Sequence, residues 1–276
     1  APRKGGRRMK GPSATGPRRV LLVDLGNTSA TLAMARDGAL GPPARVSTRL
    51  ARRREVRAAL ARLAGGRPAD GAVYASVVPG LDRLWLSELR PFCTAEPLAV
   101  DWRLALGVRL DYPHPETIGA DRLANACGAV VRYGSPVVVA DFGTALTFDV
   151  IAGNAYRGGL ILPGLPLMTE YLAERTALLP SLRLDGARPL RLGRAGPIGK
   201  STRQAMLLGA RLGYPGMVRE VYERLRRALR RDHSARLASA MAIGVGCRRY
   251  GLMAVGSRRA FSVARAIAVA VMNASR

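Results

Sequence analysis

Val20-Leu21-Leu22-Val23-Asp24-Leu25-Gly26-Asn27-Thr28 is repeated in plan by Val137-Val138-Val139-Ala140-Asp141-Phe142-Gly143-Thr144, at an offset of 117 residues from Asp24 to Asp141. In each copy an apolar run without alternation predicts a strand buried on both faces. Asp-x-Gly then turns the chain, and an apolar stretch brings it back as a second strand, over 30–35 and 146–151. Gly26 lets the backbone turn sharply and approach a ligand closely. The N–H groups and hydroxyls of Asn27, Thr28 and Ser29 can then donate to phosphate oxygens. Asp24 repels phosphate, but it can hold Mg²⁺ directly or through water. One copy alone reads better as an ordinary hairpin whose Asp and Asn support the turn. Two copies, each behind an all-apolar strand, point instead to a nucleotide-phosphate cleft between two similar half-domains.

Residues 1–18 are rich in Gly, Pro and Arg and predict a disordered basic extension. A first lobe is expected over 19–134. It holds an amphipathic helix at 49–63 with Val56, Leu60 and Leu63 on one face, a strand at 72–78, and a helix at 118–133 whose apolar face is Leu123, Ala126, Cys127 and Val130. A second lobe is expected over 135–232. It continues through a glycine-framed strand at 158–164 and a helix at 166–176 with Leu167, Tyr171 and Leu172 as its buried positions. One or two helices follow over 201–230, broken near 213–216. No short period recurs, so the pattern is a duplication and not a solenoid.

Composition narrows the function classes. A hydrophobic fraction of 48% suffices for a buried core. The odd set Cys93, Cys127 and Cys247 has no CxxC spacing, and only His114 and His233 are present. Disulfide frameworks, zinc sites and histidine-based triads are therefore disfavoured, and a reducing cytoplasm is expected. The basic start runs into Gly, Pro, Ser and Thr and not into an apolar segment, and no stretch reaches membrane-spanning length, so a soluble protein is expected. The formal charge of +25 sits mainly at the ends: residues 20–218 carry 24 basic against 16 acidic residues. The excess is almost wholly arginine, and no RNA-binding aromatic motif or zinc finger accompanies it, so no specific nucleic-acid partner is expected.

The paired loops resemble the two phosphate hairpins of the actin-like and sugar-kinase ATPase superfamily. That resemblance implies an α/β fold of two RNase H-like lobes around an ATP cleft. Further motifs follow in order: Ala75-Ser76-Val77-Val78-Pro79, Tyr112-Pro113-His114-Pro115, Gly119-Ala120-Asp121-Arg122, Asp141-Phe142-Gly143-Thr144-Ala145, Gly158-Gly159 with Pro163-Gly164, Thr176-Ala177-Leu178-Leu179-Pro180, and Gly199-Lys200-Ser201-Thr202. Over about residues 20–230 this series resembles the type III pantothenate kinases, the family that includes the Bvg accessory factors. The resemblance implies ATP-dependent phosphorylation of the primary hydroxyl of pantothenate, the opening step of coenzyme A synthesis, by a homodimer. A rival expectation is a catalytically weak relative with a regulatory or binding role. Another is a superfamily kinase with a different acceptor.

By the same resemblance, the stretch Asp24, Leu25, Gly26, Asn27, Thr28, Ser29, Ala30 and Thr31 binds ATP with its Mg²⁺, and Thr144 is the second ATP contact. Asp141 is matched to the ligand of a monovalent cation, K⁺ or NH₄⁺. Asp121 is matched to the catalytic base, and a carboxylate suits that task because it can accept the hydroxyl proton during phosphoryl transfer. From its position alone, Asp121 is also a helix cap. Tyr112, Gly119, Ala120, Asp121, Arg122 and Thr202 are matched to substrate contacts, Arg122 offering a charged fork to the pantothenate carboxylate. Without the resemblance, Arg122 reads equally as a solvated helix-start residue, Tyr112 as a loop aromatic and Thr202 as a helix cap. Gly199-Lys200-Ser201-Thr202 echoes a P-loop, but Arg194 stands where that motif needs its first glycine and no buried strand leads into it. Two features depart from the family. Thr31 stands where many members carry Lys. Residues 233–276 hold no acid and no Thr-Gly-Gly turn, and are expected to be a diverged or frame-shifted tail.

Overall fold

A computed structural model describes residues 19–37, 39–48, 53–182, 196–232 and 242–245. The basic extension at 1–18 and most of the tail lie outside these residues.

The chain begins with β1 (Arg19–Leu25) and β2 (Ser29–Arg36), continues through β3 (Ala39–Leu40), β4 (Ala44–Ser47) and α1 (Arg53–Ala64), and returns as β5 (Gly71–Ser76). Then come α2 (Asp82–Leu89) and β6 (Leu98–Ala99). β7 (Arg109–Leu110) leads to α3 (Ala120–Tyr133), followed by β8 (Val137–Phe142), β9 (Ala145–Ala152), β10 (Ala155–Pro163), α4 (Leu165–Arg175), α5 (Thr202–Asp232) and β11 (Ala242–Val245).

The strands form two sheets built on one plan. The first has the order β3-β2-β1-β5-β6, with β4 also pairing β2; the second runs β11-β8-β9-β10-β7. In each, a central strand pairs antiparallel with its hairpin partner (β1 with β2, β8 with β9) and parallel with a later strand (β1 with β5, β8 with β11). The duplication read from the two hairpins is thus a duplication of sheet topology. The β8–β11 pairing draws Ala242–Val245, from within the segment expected to be an atypical tail, into the second sheet opposite Val138–Asp141.

Burial on both faces explains the unalternated apolar runs. Leu21, Val23 and Leu25 pack with Val56, Leu60, Trp85 and Leu89 of α1 and α2, while Leu22 points the other way, into a core shared with α3. Val137 and Val139 of β8 join that shared core; Val138, Ala140 and Phe142 face the helical layer of α4 and α5. α3 therefore lies between the two sheets. The 3.6-residue pattern predicts a helix with one buried stripe, but Ala120, Leu123, Ala124, Asn125, Ala126, Cys127, Gly128 and Ala129 are all buried. Small side chains on the second face let a sheet approach closely there.

Leu167, Tyr171 and Leu172 of α4 are exposed, by 40%, 50% and 40%, whereas Leu165 and Thr169 are buried. α5 is a single helix that runs through Pro215. Its stripe of Ala210, Tyr214, Met217, Val218, Val221, Tyr222, Leu225 and Leu229 packs on the second core without interruption. That packing outweighs the loss of one backbone hydrogen bond at the proline. Among the described residues, no helix is long and apolar enough to cross a membrane.

Candidate active site

The two Asp-x-Gly hairpins face one another. In the first, the Gly26 N–H donates to the Ser29 carbonyl at 3.2 Å, and buried Thr48 braces the loop: its hydroxyl donates to the Gly26 carbonyl (2.8 Å) and its N–H to the Thr28 carbonyl (3.0 Å). Arg45 Nε donates to the Ser29 hydroxyl at 2.8 Å. In the second, the Gly143 N–H donates to the Ala145 carbonyl at 3.0 Å, and the Gly164 N–H to the Thr144 carbonyl at 3.0 Å. A Cβ at Gly164 would lie 2.3 Å from both the Gly143 and Thr144 carbonyl oxygens, so only glycine fits behind this loop. Asn27, Thr28 and Thr144 are exposed at the tips, and the Thr28 and Thr144 hydroxyls stand 3.1 Å apart. Leu25 and Ala30 have side chains in the first core, so only their backbone can serve a ligand; Thr31 is half-buried.

Asp24 and Asp141 sit near the ends of the two central strands, and Asp121 stands in the first turn of α3 between the sheets. The three carboxylates are close enough to repel. Burial pushes the Asp24 carboxyl up to about 7, with Asp121 adding to the shift and Arg45 opposing it. Burial likewise pushes Asp141 up to about 8, reinforced by Asp121 and Asp24 and opposed by the Asn125 amide, whose Nδ2 donates to Asp141 Oδ2 at 3.0 Å. Burial also raises Asp121, against the pull of the Arg122 N–H and guanidinium. Gly119, not Asp121, is the N-cap of α3; Asp121 Oδ1 accepts the Arg122 N–H at 2.8 Å. A Cβ at Gly119 would fall 2.6 Å from Asp121 Oδ1, which explains the glycine at the start of this turn.

Such a group of crowded carboxylates attracts cations. Among the described residues, no three His, Cys, Asp or Glu side chains gather closely enough to hold a metal ion by themselves. The donor set still fits cations that complete their shells with phosphate oxygens. Mg²⁺ is commonly held by one or two carboxylates plus substrate phosphates. Beside Asp141, the buried Oδ1 of Asn125 has no hydrogen-bond partner, which leaves an oxygen donor for a hard cation.

One residue on, Arg122 turns the opposite way. Its Nε and Nη2 both reach Asp149 Oδ1, at 2.8 and 2.7 Å, and its guanidinium lies 5.9 Å from the Tyr156 ring centre. Tyr112 meets the same ring edge-on at 6.0 Å. The Asp111 N–H donates to the Tyr156 carbonyl at 3.0 Å, which fixes Tyr112 against Gly158, where a Cβ would come within 3.3 Å of the Tyr112 ring. At Gly159 a Cβ would overlap the Phe148 carbonyl oxygen at 1.7 Å and crowd the Arg122 guanidinium at 3.1 Å. The glycine pair therefore lets β10 pass close under both side chains. Thr202 is exposed at the first residue of α5. The cap there is Ser201, whose hydroxyl accepts the Gln204 N–H at 3.2 Å while Gln204 Oε1 accepts the Lys200 N–H at 2.9 Å. Gly199–Thr202 is thus a helix start.

Asp149 and Tyr156 escaped the sequence reading of the site. The available signal was an acid inside an otherwise apolar strand, since a buried carboxylate needs a partner.

Residues 20–224, which include both hairpins, the three carboxylates and Arg122, match the family model described as Type III pantothenate kinase. The chain belongs to the type III pantothenate kinase family. The type III pantothenate kinase of Akkermansia muciniphila is 48% identical over 157 residues, covering 56% of this chain and 60% of that protein. That of Methylacidiphilum infernorum is 35% identical over 216 residues, covering 76% and 72%. The matched stretch thus spans less than two thirds of the Akkermansia relative. In fold, the chain is similar to a putative 2-dehydro-3-deoxygalactonokinase from Sinorhizobium meliloti, with a TM-score of 0.51 at 18% identity, covering 93% of this chain and 96% of that one. The sugar-kinase ATPase architecture expected from the hairpins is therefore the fold of this family member.

Proposed function

We propose that this chain transfers the γ-phosphoryl group of ATP to the primary hydroxyl of pantothenate, yielding 4′-phosphopantothenate in the first step of coenzyme A synthesis. The observation that carries this reading is the position of Asp121 between two phosphate-type hairpins, with Arg122 and Tyr112 gathered beside it on Tyr156.

The hairpins 24–31 and 143–144 hold the nucleotide phosphates from both sides, through loop N–H groups and the Thr28 and Thr144 hydroxyls. Asp24 would hold Mg²⁺, and Asp141 with Asn125 Oδ1 would hold a monovalent cation, K⁺ or NH₄⁺. When bound, these cations neutralise charge on the phosphates. The acceptor hydroxyl attacks the γ-phosphorus as the bond to the ADP oxygen breaks, and Asp121 takes the hydroxyl proton. A burial-raised carboxyl is a better proton acceptor than an exposed one. Arg122 presents its remaining N–H donors to the pantothenate carboxylate, and Tyr112 closes that side. Thr202, exposed at the start of α5, is a further contact for the acceptor in this reading.

The exposed apolar face of α4, Leu167, Tyr171 and Leu172, with Leu178 beyond it, supports a homodimer, since apolar patches of this kind mark protein contacts. A cytoplasmic location fits the free thiols of Cys93 and Cys127. Mass spectrometry of the reaction products tests the proposal. Folded protein with ATP, Mg²⁺ and K⁺ should convert pantothenate to its monophosphate, and ADP release without that product would count against it.

A further inference from the structure

Asp149 is fully buried in β9, and one of its oxygens collects three donors. Arg122 Nε (2.8 Å), Arg122 Nη2 (2.7 Å) and the Tyr156 hydroxyl (2.7 Å) all reach Oδ1, while Oδ2 is buried without a partner. Burial drives the Asp149 carboxyl upward, and Arg122 and Tyr156 pull it back. Arg122 is the cation in this group, and its side chain is only 12% exposed. A side chain as long as arginine has many rotamers, and holding one of them costs conformational entropy. Here that cost is met in the resting protein: two of the five guanidinium N–H groups are committed to Asp149, and the Tyr156 ring lies along the same group.

We infer that Asp149 is a positioning residue for the acceptor site: with Tyr156 it fixes Arg122 so that its remaining N–H donors face the acceptor's carboxylate. The inference rests on the reading of Arg122 as the carboxylate contact. Asp149 touches neither the acceptor nor the reacting atoms. Its effect is on where the arginine fork stands and on keeping it there, so it acts on acceptor binding and leaves the phosphoryl step to Asp121. The two neighbouring residues of α3 then divide the work: Asp121 faces the carboxylates of the hairpins, and Arg122 is paired with Asp149 of β9 and lies along the Tyr156 ring of β10.

The test is steady-state kinetics of the full chain with pantothenate and ATP varied separately, for Asp149→Asn, Tyr156→Phe and Arg122→Met. Asp149→Asn keeps the shape and one acceptor oxygen but removes the charge. It should raise KM for pantothenate about tenfold, with kcat within about threefold and KM for ATP unchanged, since a charge-assisted pair is roughly twice as strong as a neutral hydrogen bond. Tyr156→Phe removes one bond to the same oxygen and should shift pantothenate KM in the same direction by a smaller factor; it serves as the readout if Asp149→Asn does not fold. In the double variant Asp149→Asn/Arg122→Met, pantothenate KM should match that of Arg122→Met alone, because Asp149 acts through Arg122. Additive losses, or unchanged pantothenate KM in folded Asp149→Asn while Arg122→Met raises it, would overturn the inference. If Arg122→Met itself leaves pantothenate KM unchanged, the assignment of Arg122 fails first, and the inference fails with it.

Discussion

The hydroxyls of Thr28 and Thr144, 116 residues apart in sequence, meet at 3.1 Å. Each crowns a hairpin that follows an all-apolar strand, and the contact brings the two halves of the duplication to a single point. Two loops this close can grip one phosphate chain from both sides, and the Thr28–Thr144 contact is the part that a nucleotide would replace.

Thr28→Ala and Thr144→Ala should therefore each raise KM for ATP by about three- to tenfold, the worth of one hydrogen bond of 0.5–1.5 kcal/mol. Pantothenate KM should stay unchanged. Initial rates with each substrate varied in turn decide this, and a shift confined to pantothenate would assign the loops to the wrong substrate.

Behind Thr144, Gly164 lies where no side chain fits: a Cβ there would come within 2.3 Å of two carbonyl oxygens of the loop. Gly164→Ala must displace the second hairpin, because the overlap is with backbone and not with a side chain that can turn away. It should weaken ATP binding by more than Thr144→Ala does, on the order of tenfold or above, with a loss of stability of roughly 1–3 kcal/mol. Nucleotide titration of the two variants side by side gives the comparison.

The crowded carboxylates make a prediction about the cation-free protein. Asp24 and Asp141 are raised in the folded state to about 7 and about 8, from an ordinary value of 3.8. The folded protein thus binds more protons than the unfolded chain between about pH 4 and 8, and its stability falls as pH rises through that window. Thermal unfolding in chelator, without added monovalent salt of K⁺ or NH₄⁺, should show Tm dropping from pH 5 to pH 8 by at least about 3 °C, the scale set by 1 kcal/mol in a chain of this size. Asp141→Asn should flatten the drop. A Tm that rises across the window would show that the two carboxylates are not buried together.

Much of this was legible in the residues, and what was not has definite physical causes. The hairpins could be read because a strand buried on both faces leaves an unbroken apolar run, and Val20–Val23 and Val137–Ala140 are such runs. α3 misled because alanine and glycine carry little hydrophobic signal, yet Ala124, Gly128 and Ala129 are what allow a second sheet to pack on the helix. α4 misled in the opposite sense: Leu167, Tyr171 and Leu172 have the spacing of a buried stripe, but the core is reached by Leu165 and Thr169. Spacing identifies a face without saying what covers it. Gly213–Gly216 suggested a break, and the apolar stripe from Ala210 to Leu229 carries α5 across it and through Pro215. For the site, Asp24, Asp121 and Asp141 were accessible because each stands in a local motif. The link between Arg122 and Asp149 spans 27 residues and depends on β9 running beside α3, a relationship that no local pattern encodes.

The most direct test of the account is the kcat of Asp121→Asn at saturating ATP and pantothenate, with Mg²⁺ and K⁺ present, measured on protein whose Tm and ATP binding match the parent. Removing a general base costs about 10²–10⁴-fold, so kcat should fall by at least about a hundredfold while pantothenate KM changes little. A folded, ATP-binding Asp121→Asn variant that keeps kcat within about threefold of the parent would contradict the assignment of Asp121 as the base.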